Sequence, residues 1–363
     1  MPSPELIAEA RRAMEVCNAC RYCEGFCAVF PAMERRRSFT DADLAWLANL
    51  CHGCRGCFYA CQYAPPHPFG INVPLSFAEL RLESYAAYAW PKPLAVLFRN
   101  NGAVMALAMG LGVGLVVLLV AALQRGAVLF GLHPVEPGSF YAVIPYAAMA
   151  WPAGITALFS IVALVLGVRA YWRDAGTPRR APGALTVAIH EATALTNLGG
   201  GGHGCNDRDD GFGMARRRLH HGVLYGFVLC LLSTCVGAVM HHLGHLAPYP
   251  FWSAPVLLGT VGGVGMLVGT VGMFWLRLTG DQAPTARRLV GPDVAMLTLL
   301  GMVALTGLAL LALRATAAMG LALAIHLGFV LALFVTLPFS RLVHGLYRFA
   351  ALLRNAIEAR TMS

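Results

Sequence analysis

Eight of the eleven cysteines fall in two runs, CNACRYCEGFC and CHGCRGCFYAC. These place Cys17, Cys20, Cys23 and Cys27, then Cys51, Cys54, Cys57 and Cys61, at the same C-x2-C-x2-C-x3-C spacing. Three thiolates two residues apart wrap a tight loop around three corners of a cube, the bacterial arrangement for cubane iron–sulfur clusters. The fourth cysteine of each run ligates the other cube. Cluster one therefore takes Cys17, Cys20, Cys23 and Cys61, and cluster two takes Cys51, Cys54, Cys57 and Cys27, giving two [4Fe-4S] clusters. Disulfides would need an oxidising compartment, and zinc rarely takes eight thiolates in two identical runs. Such runs carry proline directly after the fourth cysteine, whereas Pro31 and Pro65 stand four residues later. Cluster geometry, rather than cluster existence, is what that departure touches. Cys205, Cys230 and Cys235 lack the spacing and read as ordinary small buried residues.

Histidine is the second chemical signal. His220 and His221 open one long apolar stretch and His241 and His242 close it, while His326 lies within the last such stretch and His344 just beyond it. On a continuous helix His326 and His344 share one face, five turns and roughly 27 Å apart, and His220 and His241 are roughly 31 Å apart and about 60° off register. Antiparallel, these helices oppose His220 to His344 on one side of a bilayer and His241 to His326 on the other. Two bis-histidine haems stacked across a membrane need that arrangement, and the absence of C-x-x-C-H makes them b-type. His221 is the neighbouring alternative to His220, and His242 to His241. One haem or two are compatible with this pattern.

The elements that position these ligands follow from composition. Of 363 residues, 58% are hydrophobic and 12% charged, against about 25% charged in soluble domains. Residues 1–102 hold 19 of the 45 charges and all eight cluster cysteines, so a cysteine-rich, ferredoxin-like head (1–102) precedes an apolar body (103–363). A soluble enzyme over most of the chain is excluded. Six stretches, 103–123, 144–168, 219–243, 254–276, 293–313 and 317–338, are long enough to cross a bilayer, which takes about 20 residues. The expected fold class is thus an α-helical membrane protein of six transmembrane helices with an N-terminal two-cluster domain. No apolar leader opens the sequence, which leaves the head in the cytoplasm. Loops 169–218 and 277–292 and the tail after 338 hold fifteen arginines, against Arg125 and Arg314 on the other side. That bias puts both termini in the cytoplasm. The net charge of +9 is accounted for by topology and not by a nucleic-acid stripe.

Gly259, Gly262, Gly263, Gly265, Gly269 and Gly272 read as close helix packing, or as room for a flat cofactor. The stretch HEATALTNLGGGGHGCNDRDD offers His190, Glu191, His203 and Cys205, but its glycines do not have the strand–turn–helix setting of a dinucleotide site. It reads as a surface loop or as a lid on the head. Connection 124–143 also reads as surface. Arg35, Arg36 and Arg37 form either a solvated charge run or an electrostatic docking face.

The doubled cysteine run, GGGGHGCND, RRRLHHGVLYGF, APYPFWSAPVLLGTVGG and RATAAMGLALAIHLGFVLALFVTLPFSRLVHGLYRFAALLR together resemble the tricarballylate-utilisation protein B family, also called citrate-utilisation protein B, over nearly the whole chain. The pair His326 and His344 also resembles the haem-bearing helix of the respiratory nitrate reductase gamma subunit. The resemblance implies an electron-transfer subunit with quinone reductase activity in the bacterial inner membrane. It would reoxidise the FAD of a partner flavoprotein dehydrogenase and pass electrons through clusters and haem b to the quinone pool. Rival readings are a quinol-oxidising subunit feeding a cytoplasmic reductase, a cluster-based redox sensor, and a carboxylate transporter. The last is disfavoured by the lack of intramembrane charge.

Overall fold

The computed structural model describes residues 2–124, 127–176 and 181–361; Arg125, Arg179 and Arg180, counted above for topology, lie outside the described residues. Among the described residues the structure is helical, with one β pairing, an antiparallel bridge between Cys205 and Gly213.

The head contains α1 (Pro4–Cys20), α2 (Val29–Glu34), α3 (Asp41–Leu50), α4 (Gly56–Tyr59) and α5 (Val73–Tyr88). Helix α1 starts where the Ser3 hydroxyl accepts the Leu6 N–H, with Pro4 in the first turn, and α3 starts at a Thr40/Asp43 capping box. Leu44, Trp46, Leu47 and Leu50 of α3 pack with Met14, Met33, Phe77 and Tyr85 into a buried core.

The body comprises α6 (Asn101–Leu123), the short α7 (Ala127–Phe130) and α8 (Ser139–Val143), α9 (Tyr146–Asp174), α10 (Ala184–Ala194), α11 (Ala215–His242), α12 (Ala254–Thr279), α13 (Val290–Leu313), α14 (Met319–Thr336) and α15 (His344–Thr361). Six of these, α6, α9 and α11 to α14, are long and apolar enough to span a membrane. Their outward faces carry exposed Leu107, Leu111, Ile155, Val261, Val268 and Trp275, as a lipid-facing surface should. The described part of the 124–143 connection lies largely at the surface, with Phe130, Leu132 and Val135 exposed, and is pinned where Leu129 and Val143 are buried against α14 residues Met319 and Leu323.

Glycine sets the closest helix approach. A Cβ on Gly226 of α11 would lie 2.7 Å from the Gly262 carbonyl oxygen, and one on Gly262 of α12 would lie 2.8 Å from the Leu229 Cβ. Gly269 meets Leu219 and Val223 of α11 in the same way. Two backbones in contact leave room only for hydrogen at these positions.

The last span and the tail do not form one continuous helix, which corrects the 18-residue register expected for His326 and His344. The chain leaves α14 through 3-10 turns at Leu337–Phe339 and Arg341–Val343, with Ser340 extended between them. Pro338 has no N–H to continue the helical ladder. Helix α15 then turns back onto the head, where Tyr347, Ala350, Ala351 and Leu352 complete the core around Trp46. The indole N–H of Trp46 donates to the Ala351 carbonyl at 3.1 Å. Arg36 and Arg354 lie over the Trp46 ring, 4.3 and 4.4 Å from its centroid. Arg36 also pairs with Asp43 at 2.8 Å and Glu358 at 2.7 Å, and Arg35 bonds Asn355. Two of the three arginines expected as a docking face are therefore bound to α3 and α15. Arg37 alone is exposed.

Candidate functional site

Both cysteine runs share a backbone device. Arg21, directly after Cys20, and Arg55, directly after Cys54, adopt positive φ of 56° and 68°. This is the same place in each motif, and a left-handed residue there is costly enough to need a purpose. At the end of α1 the Arg21 N–H bonds the Cys17 carbonyl at 2.8 Å, turning the chain so that the third cysteine folds back toward the first two.

Cys17, Cys20, Cys23 and Cys61 line one small cavity together with Phe30, Tyr63 and Ile71. Cys51, Cys54, Cys57 and Cys27 line a second, with Phe26, Val29 and His52. Each set thus joins three cysteines of one run to the fourth of the other, and Cys57 also borders the first cavity. The Cys17 thiol is pushed up to about 12 by burial and then by the charges of Cys61, Cys23 and Cys20. Burial, then Cys54 and Cys51, raises Cys27. Buried thiols so raised favour a group that brings positive charge, as iron would. A zinc site would draw its thiolates to about 2.3 Å from one ion, and among the described residues no group of three His, Cys, Asp or Glu is arranged to hold a single ion. The donor set fits a larger, multi-iron group.

The glycine loop after α10 lies on the second cavity. Asn197 accepts the Ala28 N–H at 3.0 Å, and Asn206 donates its N–H to the Cys54 carbonyl at 2.9 Å. A Cβ on Gly56 would lie 2.2 Å from the Gly200 carbonyl oxygen, and Gly200 has a φ of +60°. Cys205 is fully buried beside Cys54. Of the two readings of this loop, the lid matches the contacts. His190 and His203 are exposed and do not converge with Glu191 and Cys205 on a site. Cys235 is exposed rather than buried, and Cys230 is half-buried.

On the head side of the bundle, His220 and His344 face one another with ring centroids 6.0 Å apart. Two imidazoles on one iron, at roughly 2 Å to each nitrogen plus the depth of each ring, give about that separation. His344 Nδ1 lies 2.5 Å from the Arg341 carbonyl, so it carries the proton and leaves Nε2 as the ligand atom. His221 instead bonds the Thr193 carbonyl at 3.1 Å. The pair borders a cavity of about 290 Å³ that is also lined by Arg55, Arg81, Arg216, Arg277, Arg341 and Arg348, against one carboxylate, Asp293. Buried N–H groups of Arg216, Arg277, Arg341 and Arg348 have no hydrogen-bond partner. Each of these guanidiniums keeps another contact, Arg216 with Asp207 at 2.5 Å, Arg341 and Arg277 with Asp293 at 3.0 and 3.6 Å, and Arg348 with the Cys51 carbonyl at 3.0 Å. The leftover buried donors are still costly, so the chamber suits a ligand that brings anionic groups, as haem does with its propionates.

His52 was not singled out by sequence reasoning. It borders both the second cysteine cavity and the histidine chamber. Its Nδ1 bonds the Leu50 carbonyl at 2.8 Å, and its Nε2 is buried without a partner. Burial, then the charge of Arg348, lowers its pKa well below the usual value. The available signal was its position, one residue past Cys51 inside the cysteine run.

The expected second pair is not assembled. His241 stacks on Tyr146 at 3.4 Å and bonds the Tyr141 hydroxyl at 3.0 Å. His326 borders a separate cavity of about 410 Å³ near the distal end, whose α11 wall is Cys230, Ser233, Thr234 and Gly237. That wall ends about one turn short of His241, and the break at Pro338 removes the register that would have aligned the two rings. Gly259 and Gly263 line this cavity, while Gly262 and Gly269 pack helices.

The family model described as citrate utilization protein B matches residues 100–363, and the model of that protein's Fer4-like domain matches residues 10–87. The chain is 47% identical over 355 residues to citrate utilization protein B of Escherichia coli, covering 97% of this chain and 93% of that protein. No solved structure matches.

Proposed function

Because the chain belongs to the citrate utilization protein B family, with an iron–sulfur type head on six membrane helices, we propose that it moves electrons from a reduced FAD-containing partner dehydrogenase to the membrane quinone pool. The family resemblance suggests a tricarballylate-type partner. We place the protein in the bacterial inner membrane with both termini in the cytoplasm.

The observation that carries this reading is the shared wall between the second cysteine cavity and the His220–His344 chamber, formed by His52, Gly53, Arg55 and Pro74. Two [4Fe-4S] clusters and a haem b, when bound, pass one electron at a time. The chain's own residues do the rest. Cys17, Cys20, Cys23 and Cys61 hold the cluster nearer α1, and Cys51, Cys54, Cys57 and Cys27 hold the one under the glycine lid. Arg81 and Arg348 both donate to the Cys51 carbonyl, which anchors the backbone from which His52 projects. His220 and His344 would hold a haem iron through their ring nitrogens, and the arginines lining the chamber would neutralise its carboxylates.

Anaerobic purification should yield about eight irons in clusters per chain and a b-type pyridine haemochrome. Cys61→Ser should damage the same cluster as Cys17→Ser, and His344→Ala should abolish the low-spin haem spectrum. Iron content unaffected by either cysteine change would sink the cluster assignment.

A further inference from the structure

The distal cavity lies between α11, α12, α13 and α14 and is walled mainly by small and aliphatic residues. His326 is fixed within it. Its Nδ1 lies 3.0 Å from the Thr306 hydroxyl oxygen, and that hydroxyl donates its single proton to the Met302 carbonyl at 2.6 Å. The hydroxyl oxygen can then only accept, so Nδ1 carries the imidazole proton and Nε2 keeps its lone pair. Gly307 lies against the ring, since a Cβ there would be 3.0 Å from His326 Cε1. At the other end Arg314, half-exposed, spends one N–H on the Tyr249 carbonyl at 3.0 Å. Its fork has further donors. Gly307 and Arg314 are seven residues apart, roughly 10 Å along the α13 axis.

A bis-histidine haem does not suit this place. His241 is committed to two tyrosines outside the wall, and the Ser233 and Thr234 hydroxyls donate to backbone carbonyls. The cavity does adjoin the histidine chamber. Leu300 of α13 borders the chamber and Val303 borders the distal cavity, a rise of roughly 4.5 Å. An acceptor here must dissolve in lipid, take electrons singly from a one-electron carrier, and bury an uncharged ring between apolar walls with a polar atom at each end.

We propose that the distal cavity is the quinone site, with Arg314 donating to one ring oxygen and His326 Nε2 accepting from the hydroxyl formed at the other. The proposal rests on the electron-transfer reading above. The step is Q + 2e⁻ + 2H⁺ → QH₂: two electrons arrive one after the other from the side of the His220–His344 chamber, one proton comes from water to the oxygen at the Arg314 end, and the other is taken from water by His326 Nε2 and passed to the oxygen facing it, which returns Nε2 to its lone-pair form. Both ring carbonyls become hydroxyls, and no net bond to protein forms or breaks.

The full-length protein in nanodiscs would be tested with decylubiquinone. Wild type should bind one haem per chain, and His326→Leu and Gly263→Leu, the second filling the cavity from α12, should keep it. Reoxidation of the reduced haem by decylubiquinone should slow by an order of magnitude or more in both variants, with reoxidation by ferricyanide unchanged. Two haems in wild type, haem loss in His326→Leu, or an unaltered quinone rate in both variants would overturn the proposal. A wild-type protein devoid of haem would instead overturn the reading it rests on.

Discussion

His52 is one of four residues on the wall between the cysteine cavity and the histidine chamber. Gly53 and Pro74 have no polar side-chain atom, and the Arg55 guanidinium is committed to Asp207, Asp281 and Thr285. Only the imidazole combines a π system with an uncommitted atom. His52→Ala should therefore leave iron and haem content intact yet slow haem reduction by electrons entering at the head, and His52→Phe should restore part of the rate. Stopped-flow reduction by a flavodoxin-type donor reads this out, and equal rates in all three proteins would exclude a role for the ring. The thiols give a second prediction. Cys17, Cys23 and Cys54 are raised to about 12, 12 and 11, with burial the largest cause. A raised thiol pKa favours the protonated fold, so this contribution is complete below the unfolded value of about 8.5 and is lost as pH climbs toward 12. Iron-stripped, reduced protein should unfold at a lower temperature at pH 10.5 than at pH 8, and scanning calorimetry would show it.

Helix pairs and loops carry the next set of expectations. Gly262 of α12 sits against Leu229 and Cys230 of α11, so Gly262→Leu must force two backbones apart. Overpacking of this kind costs about 1–3 kcal/mol or more, visible as a lower midpoint in thermal unfolding. Gly200→Ala acts differently, since it strains a positive φ next to Cys54. Cluster two should become oxygen-labile while cluster one persists, as followed by EPR. Much of this level was readable in the sequence: the six apolar stretches became helices within a few residues of their expected ends, and the repeated cysteine spacing anticipated which four thiols share each cavity. The inner histidine pair comes together across a break in the chain and not on the continuous helix that its spacing implies. What periodicity could not convey was the break at Pro338, because apolar residues run on through Phe339 as though the helix continued. Nor could it show that Arg35 and Arg36 pair with Asn355 and Glu358 of α15, since partners more than three hundred positions away leave no local pattern. The missing His241–His326 pair has the same origin, a register carried across a kink.

At the scale of the whole molecule, the last helix is part of the first domain. Arg36 and Arg354 both lie over Trp46, with Glu358 and Asp43 closing the charge set, so α15 ties the end of the chain to the head. Trp46→Ala should cost about 3–5 kcal/mol, and deletion of residues 344–361 should leave the head unfolded while the spans still insert. Limited proteolysis of membranes would distinguish these outcomes, since a protease-resistant head after the deletion would contradict the arrangement. The two cavities stacked along α13 have a consequence of another kind. Charge passing from a head on one side of the bilayer to a quinone near the opposite side moves through the low-dielectric slab, and one elementary charge crossing it fully is worth about 2.3 kcal/mol per 100 mV. Turnover in sealed vesicles would then be voltage-sensitive, slowed or hastened by a potassium diffusion potential according to its sign, so the protein's throughput would be tied to the energised state of its membrane.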